Sequence, residues 1–328
     1  GSIVCPSSAA GLVGIKPTVG LVSRTHVVPI SHSQDTAGPM GRSVSDVAAV
    51  LTAIAGTDAA DAATAEADAR RADYSAALDA NALQGRRIGV LRFMAGFHAG
   101  VDERFEAALE HMRAAGAEIV EIEAAPAGMD ALGADEFTIL LAELKTDLDA
   151  YLATTPTQVT ARTLEQVIAF NTATPAELAL FGQDLFEQAQ ASQGVNDPRY
   201  IAAQGRAART ARQMLDGLMQ NNRVDALVVP TQGAAWVTDI VNGDHFVGGG
   251  ASSLPAVSGY PHVTVPMGLV NGLPVGLSII GEAWSEAKLL SFAYAYEQRA
   301  NARVAPTYAR SVEDLEPLAA ALRQPPPN

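Results

Sequence analysis

Residues 87–122 read RIGVLRFMAGFHAGVDERFEAALEHMRAAGAEIVEI, and this stretch sets the fold class. Arg87-Ile88-Gly89-Val90-Leu91 is a short apolar run of the kind a buried strand shows. Val101 to Ala115 reads as a helix, with Gly116 as its stop. Ala117 to Ile122, AEIVEI, reads as a second strand. Parallel strands need a crossover between them, and a strand–helix–strand order supplies one. The stretch therefore predicts an α/β protein with parallel pairing in this part of its sheet.

Downstream, residues 129–221 hold almost no strand signal and predict helices at about 129–153, 163–171, 175–191 and 197–221. Asp197-Pro198 suits a helix start, because proline in the first turn gives up an N–H that has no partner there. Strands return at Asp225–Val229, His262–Val265 and Pro274–Ile280, which end at Pro230, Pro266 and Gly281. A last long helix runs from Trp284 or Ser285 to Arg299, and the tail from Arg310 ends in QPPPN and is expected to fray. Upstream, residues 57–84 are rich in Ala and Asp and read as a surface loop with a short helix. Ser43 reads as the N-cap of a helix from Val44 to Ala55 that Gly56 stops. Residues 1–42 read as loops with one or two short strands. The divisions expected are 1–125, a helical insertion at 126–223, a return to the sheet at 224–308, and a tail at 309–328. Ligands of such folds sit beyond carboxyl ends of strands, so the loops after Val229, Val265 and Ile280 are the places to look.

Composition removes several classes. With 22 Lys+Arg against 36 Asp+Glu the net charge is −14, which argues against nucleic acid or an anionic membrane as partner. A hydrophobic fraction of 48% is too high for disorder. The lone Cys5 excludes an internal disulfide and a cysteine-clustered metal site. The histidines (His26, His32, His98, His111, His245 and His262) show no metal-ligand spacing on a shared helix face and read as surface or loop residues, so no metal is expected. The segment 247–253, VGGGASS, lacks the lysine and spacing of a phosphate loop. It reads as a flexible loop in which Ser252 or Ser253 caps a short helix. No apolar run reaches the roughly 18–20 residues of a membrane span. Residue 1 is Gly rather than Met, so no location follows from the lack of a leader, and a cytoplasmic one stands only as the default.

The chemistry lies at the start, in GSIVCPSSAAGLVGIKPT, residues 1–18. A serine beside glycine can offer a hydroxyl next to backbone N–H groups turned toward a developing oxyanion, although most serines in such loops are turn formers. The whole run, with SQDTAGPMGRSVSDVAAVLTAIAGTD (33–58), DALVVPT (225–231), SGYPHVTVPMG (258–268) and GLPVGLSIIGEAWSEAKLL (272–290), resembles the amidase signature family of Ser–Ser–Lys amide hydrolases. The middle segments ELKTDLDAYL, AFN and FGQDLFEQAQ look most like bacterial peptide amidases, which remove the C-terminal amide of peptides. The resemblance implies a mixed β-sheet flanked by helices, with a covalent, cofactor-free mechanism. Its nucleophile falls on Ser2, with the Gly1 backbone in the oxyanion hole.

The other two groups of that chemistry are a cis-linked serine and a lysine that must be neutral to act as base. The resemblance assigns both to segments upstream of residue 1, so this chain would be the C-terminal portion of its kind and inactive alone. Bringing a lysine from about 10.4 to neutrality costs about 4 kcal/mol, drawn from burial and hydrogen bonds. Lys16 sits in a separate piece of the motif and is not taken as a substitute base. Ser7 and Ser8 read as turn formers rather than the bridging serine. Thr231, Gln232 and Trp236 fall where the family's pocket wall is expected, and Phe181 and Phe186 would add apolar wall from the insertion, although core packing is the default for such aromatics. Arg24, Asp35 and Arg42 read as charges that pin loops through ion pairs. The partners implied are a small-molecule or peptide amide and the upstream segment of the same protein. Besides a hydrolase, two readings stand: the A-type component of a glutamine-dependent amidotransferase acting on charged tRNA, and a noncatalytic fragment that exposes apolar surface.

Overall fold

A computed structural model describes residues 1–239, 241–246, 248–311, 314, 320 and 323. The elements in chain order are α1 (Val4–Ala9), β1 (Val13–Lys16), β2 (Met40–Gly41), α2 (Val44–Ile54), α3 (Ala67–Arg70), β3 (Arg87–Leu91), α4 (Ala99–Ala114) and β4 (Glu118–Ile122). Then follow α5 (Met129–Ala153), α6 (Leu164–Ala173), α7 (Asp184–Ala191), α8 (Pro198–Asn222), β5 (Ala226–Pro230), α9 (Ser253–Ser258), β6 (His262–Val270), β7 (Leu273–Ile280) and α10 (Glu286–Ala300). The strands form one mixed seven-stranded sheet in the order β2-β1-β6-β7-β5-β3-β4. β3 pairs parallel with β4 and with β5, as the strand–helix–strand stretch predicts, and the other pairs are antiparallel.

Local chemistry sets several boundaries. The Ser43 hydroxyl accepts from Asp46 N–H while the Asp46 carboxylate accepts from Ser43 N–H, a capping box that starts α2. The Asp197 carboxylate accepts from Arg199 N–H, and Pro198 opens α8. Thr163 caps α6 and the His98 ring nitrogen caps α4.

The structure departs from the sequence reading in four places. Residues 4–9 are a helix and not a loop, because Pro6 lies in the first turn, where its missing N–H removes no helical bond. β6 does not stop at Val265. It continues through Pro266 to Val270, with the ladder shifting register between Pro266 and Gly268, an irregularity that accommodates proline in a strand. The helix expected at 175–191 forms only from Asp184, since Leu180 and Phe181 are 65% and 51% exposed and offer no packing to hold a turn. The Ser252 side chain does not cap α9. The frayed tail expected from Arg310 lies mostly outside the described residues.

Alternation along the strands sorts their side chains onto two faces. Val13, Ile15, Val263, Val265, Leu277 and Ile279 are buried with Leu51, Leu109, Leu289 and Phe292, which lie on α2, α4 and α10. On the opposite face, Leu227, Val229 and Ile280 pack with Leu215 of α8 and with Leu254 and Val257 of α9. Further along that face, α1 covers Gly14 and Gly276 at close range. A Cβ on Gly14 would lie 2.3 Å from Ser7 Oγ, and one on Gly276 would lie 2.8 Å from Ser8 Oγ. The insertion helices carry a small core of their own, with Leu148, Leu164 and Ala189 buried and Phe186 packed against them. Among the described residues no helix is long and apolar enough to cross a membrane.

Candidate active site

Ser2 is exposed, in the turn that leads into α1. Three parts of the chain meet around it. Within α1, Cys5 N–H donates to Gly1 O at 2.9 Å, which fixes the entry turn. From the end of β5, Gln232 Nε2 donates to Cys5 O at 3.1 Å. From the start of α9, Ser252 Oγ lies 3.5 Å from where a Cβ on Gly1 would stand, and it hydrogen-bonds the Cys5 thiol. Burial raises the pKa of that thiol, with the Ser252 bond opposing. Ala251 N–H donates to Thr231 O at 3.1 Å, so the β5 end and the α9 start are held together.

Beneath α1 the sheet face is polar. His262, Thr264 and Ser278 point the same way as Gly14 and Lys16, because Lys16 pairs with His262 and Gly14 with Thr264 across the ladder. The Thr231 hydroxyl shares hydrogen bonds with Thr264 Oγ1 at 2.7 Å and Ser278 Oγ at 2.9 Å. Ser278 Oγ continues to His262 Nε2 at 2.6 Å. All four are fully buried. His262 Nδ1 and Ser8 Oγ are buried without a protein partner among the described residues. Burial pushes the His262 pKa well below its usual value, and the nearby Lys16 adds to this, so the ring is neutral. His262 is therefore a core residue and not the surface or loop residue the sequence suggested. Nothing in its local sequence marks this except the alternation His262-Val263-Thr264-Val265.

Ser7 and Ser8 lie inside α1 rather than in a turn, and Ser7 Oγ donates to Ile3 O at 2.7 Å. Lys16 is buried, and Nζ donates to Pro17 O at 2.9 Å. Burial brings its pKa down to about 7, against the opposing pull of Glu286. Glu286 is itself buried and accepts from Thr18 N–H at 2.7 Å.

Thr231 and Gln232 are buried, with the Thr231 hydroxyl bonded to Thr264 and Ser278 and Gln232 Nε2 bonded to Cys5 O. Trp236 stands on the excursion between Thr231 and Ala251, edge-on to Phe246 at 5.3 Å and donating to Asp244. Phe186 belongs to the insertion's own core, and Phe181 is half exposed. Of the three loops singled out, the one after Val229 reaches the Ser2 surroundings. Val265 ends no strand, and β7 runs antiparallel to β5, so the loop after Ile280 leaves from the opposite end of the sheet, where Trp284 N–H meets Thr18 Oγ1.

Arg24 pins a loop as expected, bonding Asp61 through Nε at 2.9 Å and Nη2 at 2.7 Å. Asp35 instead accepts from the backbone of Ile30 and Ser31, and Arg42 is exposed. Tertiary packing also brings His32 to Glu143 and Asp147, which stand one turn apart on α5. Ser33 and Tyr200 donate to the buried Glu143, and the imidazole bonds Asp147 at 2.8 Å. This cluster ties the loop at His32 to the insertion helix α5.

A solvent-facing hydroxyl on a fixed backbone turn, backed by a buried polar face, is an arrangement that suits nucleophilic chemistry. A family model described as Amidase matches residues 1–290, and the chain belongs to that family, whose signature the opening run carries. It is 33% identical over 323 residues to a probable amidase of Arabidopsis thaliana, covering 94% of this chain and 57% of that protein. It is 31% identical over 330 residues to the A subunit of the glutamyl-tRNA(Gln) amidotransferase of Synechococcus sp., covering 91% of this chain and 58% of that one. The native peptide amidase of Stenotrophomonas maltophilia superposes with a TM-score of 0.85 at 48% identity, over 93% of this chain and 61% of that one. The chain therefore spans somewhat more than half the length of the relatives it matches.

Proposed function

We propose that this chain carries the nucleophile of an amidase that cleaves carboxamide C–N bonds through an acyl-serine intermediate. Peptide C-terminal amides or small amides are its substrates. Ser2 Oγ attacks the amide carbonyl, its proton passes to the leaving ammonia or amine, and water then hydrolyses the ester to release the acid. The Gly1 and Ser2 backbone would face the oxyanion, and the chemistry as proposed uses no metal or cofactor. The observation that supports this reading most is the 48% identity to a peptide amidase across 93% of the chain. In the native protein, Ser2→Ala should abolish both turnover and labelling by a fluorophosphonate while leaving the fold intact. Retained turnover refutes the assignment. A panel of peptide, aryl, aliphatic and amino-acid amides would identify the substrate class.

Of the residues weighed as lysine base or bridging serine, Lys16 is buried with its Nζ held on Pro17 O, and Ser7 Oγ is bonded to Ile3 O. By itself the polypeptide is proposed to hydrolyse amides no faster than buffer. Hydrolysis that depends on both Ser2 and Lys16 would overturn this. The second reading, an A-type amidotransferase component, is favoured by the 31% identity to the Synechococcus protein and opposed by the −14 charge. Partner subunits recovered with the protein, together with glutamine-dependent transfer to tRNA, would establish it.

A further inference from the structure

His32 stands in the loop between β1 and β2, and both nitrogens of its ring face acidic side chains of α5. Nδ1 lies 2.8 Å from Asp147 Oδ2 and 3.0 Å from Asp147 Oδ1, while Nε2 lies 3.3 Å from Glu143 Oε1. A neutral imidazole carries one N–H, so one of these contacts would set a lone pair against a carboxylate. With both nitrogens protonated, each contact is charge-assisted, and the geometry therefore fits the imidazolium. Other charged and titratable groups nearby are held elsewhere. Arg24 donates to the His32 carbonyl and pairs with Asp61, Tyr200 of α8 donates to Glu143 at 2.9 Å, and Asp35 accepts from the N–H groups of Ile30 and Ser31. The bond to Asp147 raises the His32 pKa against the pull of burial. Glu143 adds to the rise and Arg24 opposes it.

The loop is pinned at its two ends, by Arg24 on Asp61 and by Ile15 N–H donating to Pro39 O at 3.2 Å. Between those points it is tied to α5 through His32 and its neighbours. His32 N–H donates to Asp147 at 2.8 Å, Ser33 Oγ donates to Glu143 at 2.9 Å, and Ser31 Oγ donates to Glu143 as well. Val27, Val28 and Ile30 are exposed, so little apolar packing holds this part of the loop. A cleft of about 260 Å³ runs between the two, lined by Val27, Pro29, His32 and Asp35 on the loop side and by Asp147 and Ala150 of α5.

We propose that His32 is the pin of a pH-sensitive clasp, which holds residues 25–36 on α5 and lets them lift, opening the cleft, as pH rises. A group whose pKa is raised on folding contributes fully below its unfolded value, about 6.5 for histidine, and loses that contribution as pH rises through its folded value. Loss of the proton leaves two carboxylates facing an uncharged ring, and the loop then keeps only its serine and backbone bonds to α5.

The test compares the native protein, His32→Gln and Asp147→Asn. Hydrogen–deuterium exchange, corrected for its intrinsic pH dependence, is read at about pH 5.5 and about pH 8.5, on either side of the histidine range, and the His32 ring is titrated by NMR. In the native protein, protection of residues 25–36 should fall roughly 5–10-fold from the acid to the alkaline condition, the worth of a charge-assisted bond partly open to solvent. His32→Gln should show the low alkaline protection at both. Asp147→Asn should lower the titration midpoint of His32 and shrink the response, which keeps the test open if His32→Gln does not fold. The sign separates the loop from the core, because the buried His262 weakens the core toward acid while the clasp weakens the loop toward alkali. A His32 midpoint at or below about 6.5, loop protection that does not change with pH, or a change that His32→Gln retains overturns the proposal.

Discussion

Gly14→Ala tests whether the seat of α1 on the sheet holds the Ser2 turn. A methyl group at Gly14 would stand 2.3 Å from Ser7 Oγ, 2.9 Å from Ser7 Cβ and 3.4 Å from Ile3 O. Ser7 is fully buried and already bonds Ile3 O, so its hydroxyl cannot swing into solvent. Either α1 lifts or β1 moves, and β1 is paired on both sides by β2 and β6. Overpacking of this kind costs roughly 1–3 kcal/mol. Losing the Ser7–Ile3 bond adds about 1 kcal/mol, for a total of about 2–4 kcal/mol. Urea denaturation should show this as a lower midpoint at unchanged slope, and fluorophosphonate labelling of Ser2 in the native protein should slow in parallel. In Gly14→Ala/Ser7→Ala the closest atom is gone while the carbon at 2.9 Å remains, so the two substitutions should be less destabilising together than their sum. A single variant within about 0.5 kcal/mol of the parent, or strict additivity in the pair, refutes a tight seat for α1.

Gly205→Ala is the opposite case. It lies inside α8 on the exposed side, with nothing within 4 Å of an added Cβ, so thermal denaturation should show a gain of about 0.5–1 kcal/mol. The Asp61 carboxyl is lowered to about 2 by its bonds to Arg24, so its contribution is present above about pH 4 and is lost as pH falls through about 2. Asp61→Asn should remove about 1–2 kcal/mol at pH 7 and progressively less in acid titrations of stability. His262 has the other sign, because its neutral form is the folded one and the unfolded chain takes up the proton first. Stability should therefore fall as pH drops below about 6.5, and His262→Phe should flatten that slope in urea melts taken at a series of pH values. Thr231→Val should cost about 1–3 kcal/mol in urea melts at neutral pH, because Thr264 and Ser278 each lose a buried partner.

Much of the frame is legible in the chain itself. The strand at Arg87–Leu91, the following helix and the second strand fall within two residues of their observed bounds, because a buried strand and a Gly-stopped helix are local patterns. The caps at Ser43 and Asp197 are equally local. The reading fails where a distant contact overrides a local signal. Pro266 looks like a strand end, yet β7 alongside carries the ladder past it through a register shift. Residues 175–183 look helical, yet Leu180 and Phe181 find nothing to pack on. Val4–Ala9 looks like a loop because of Pro6, yet the sheet beneath it receives Ser7 and Ser8 and makes a helix of it.

The α/β class, the run of helices between Ile122 and Ala226 and the family signature are written in the linear chain, and so is the expectation that Ser2 is the nucleophile. They depend on residue type, spacing and order, which a chain displays directly. What stands around Ser2 comes from packing alone. Alternation shows that His262 and Thr264 share a face, but not that α1 covers that face and buries both away from water. Nor does it show that Gln232, just past β5, and Ser252, just before α9, converge on the start of α1. Burial and long-range approach are set by how whole elements pack. The same side chain is a surface residue or a neutral buried one according to what lies across from it.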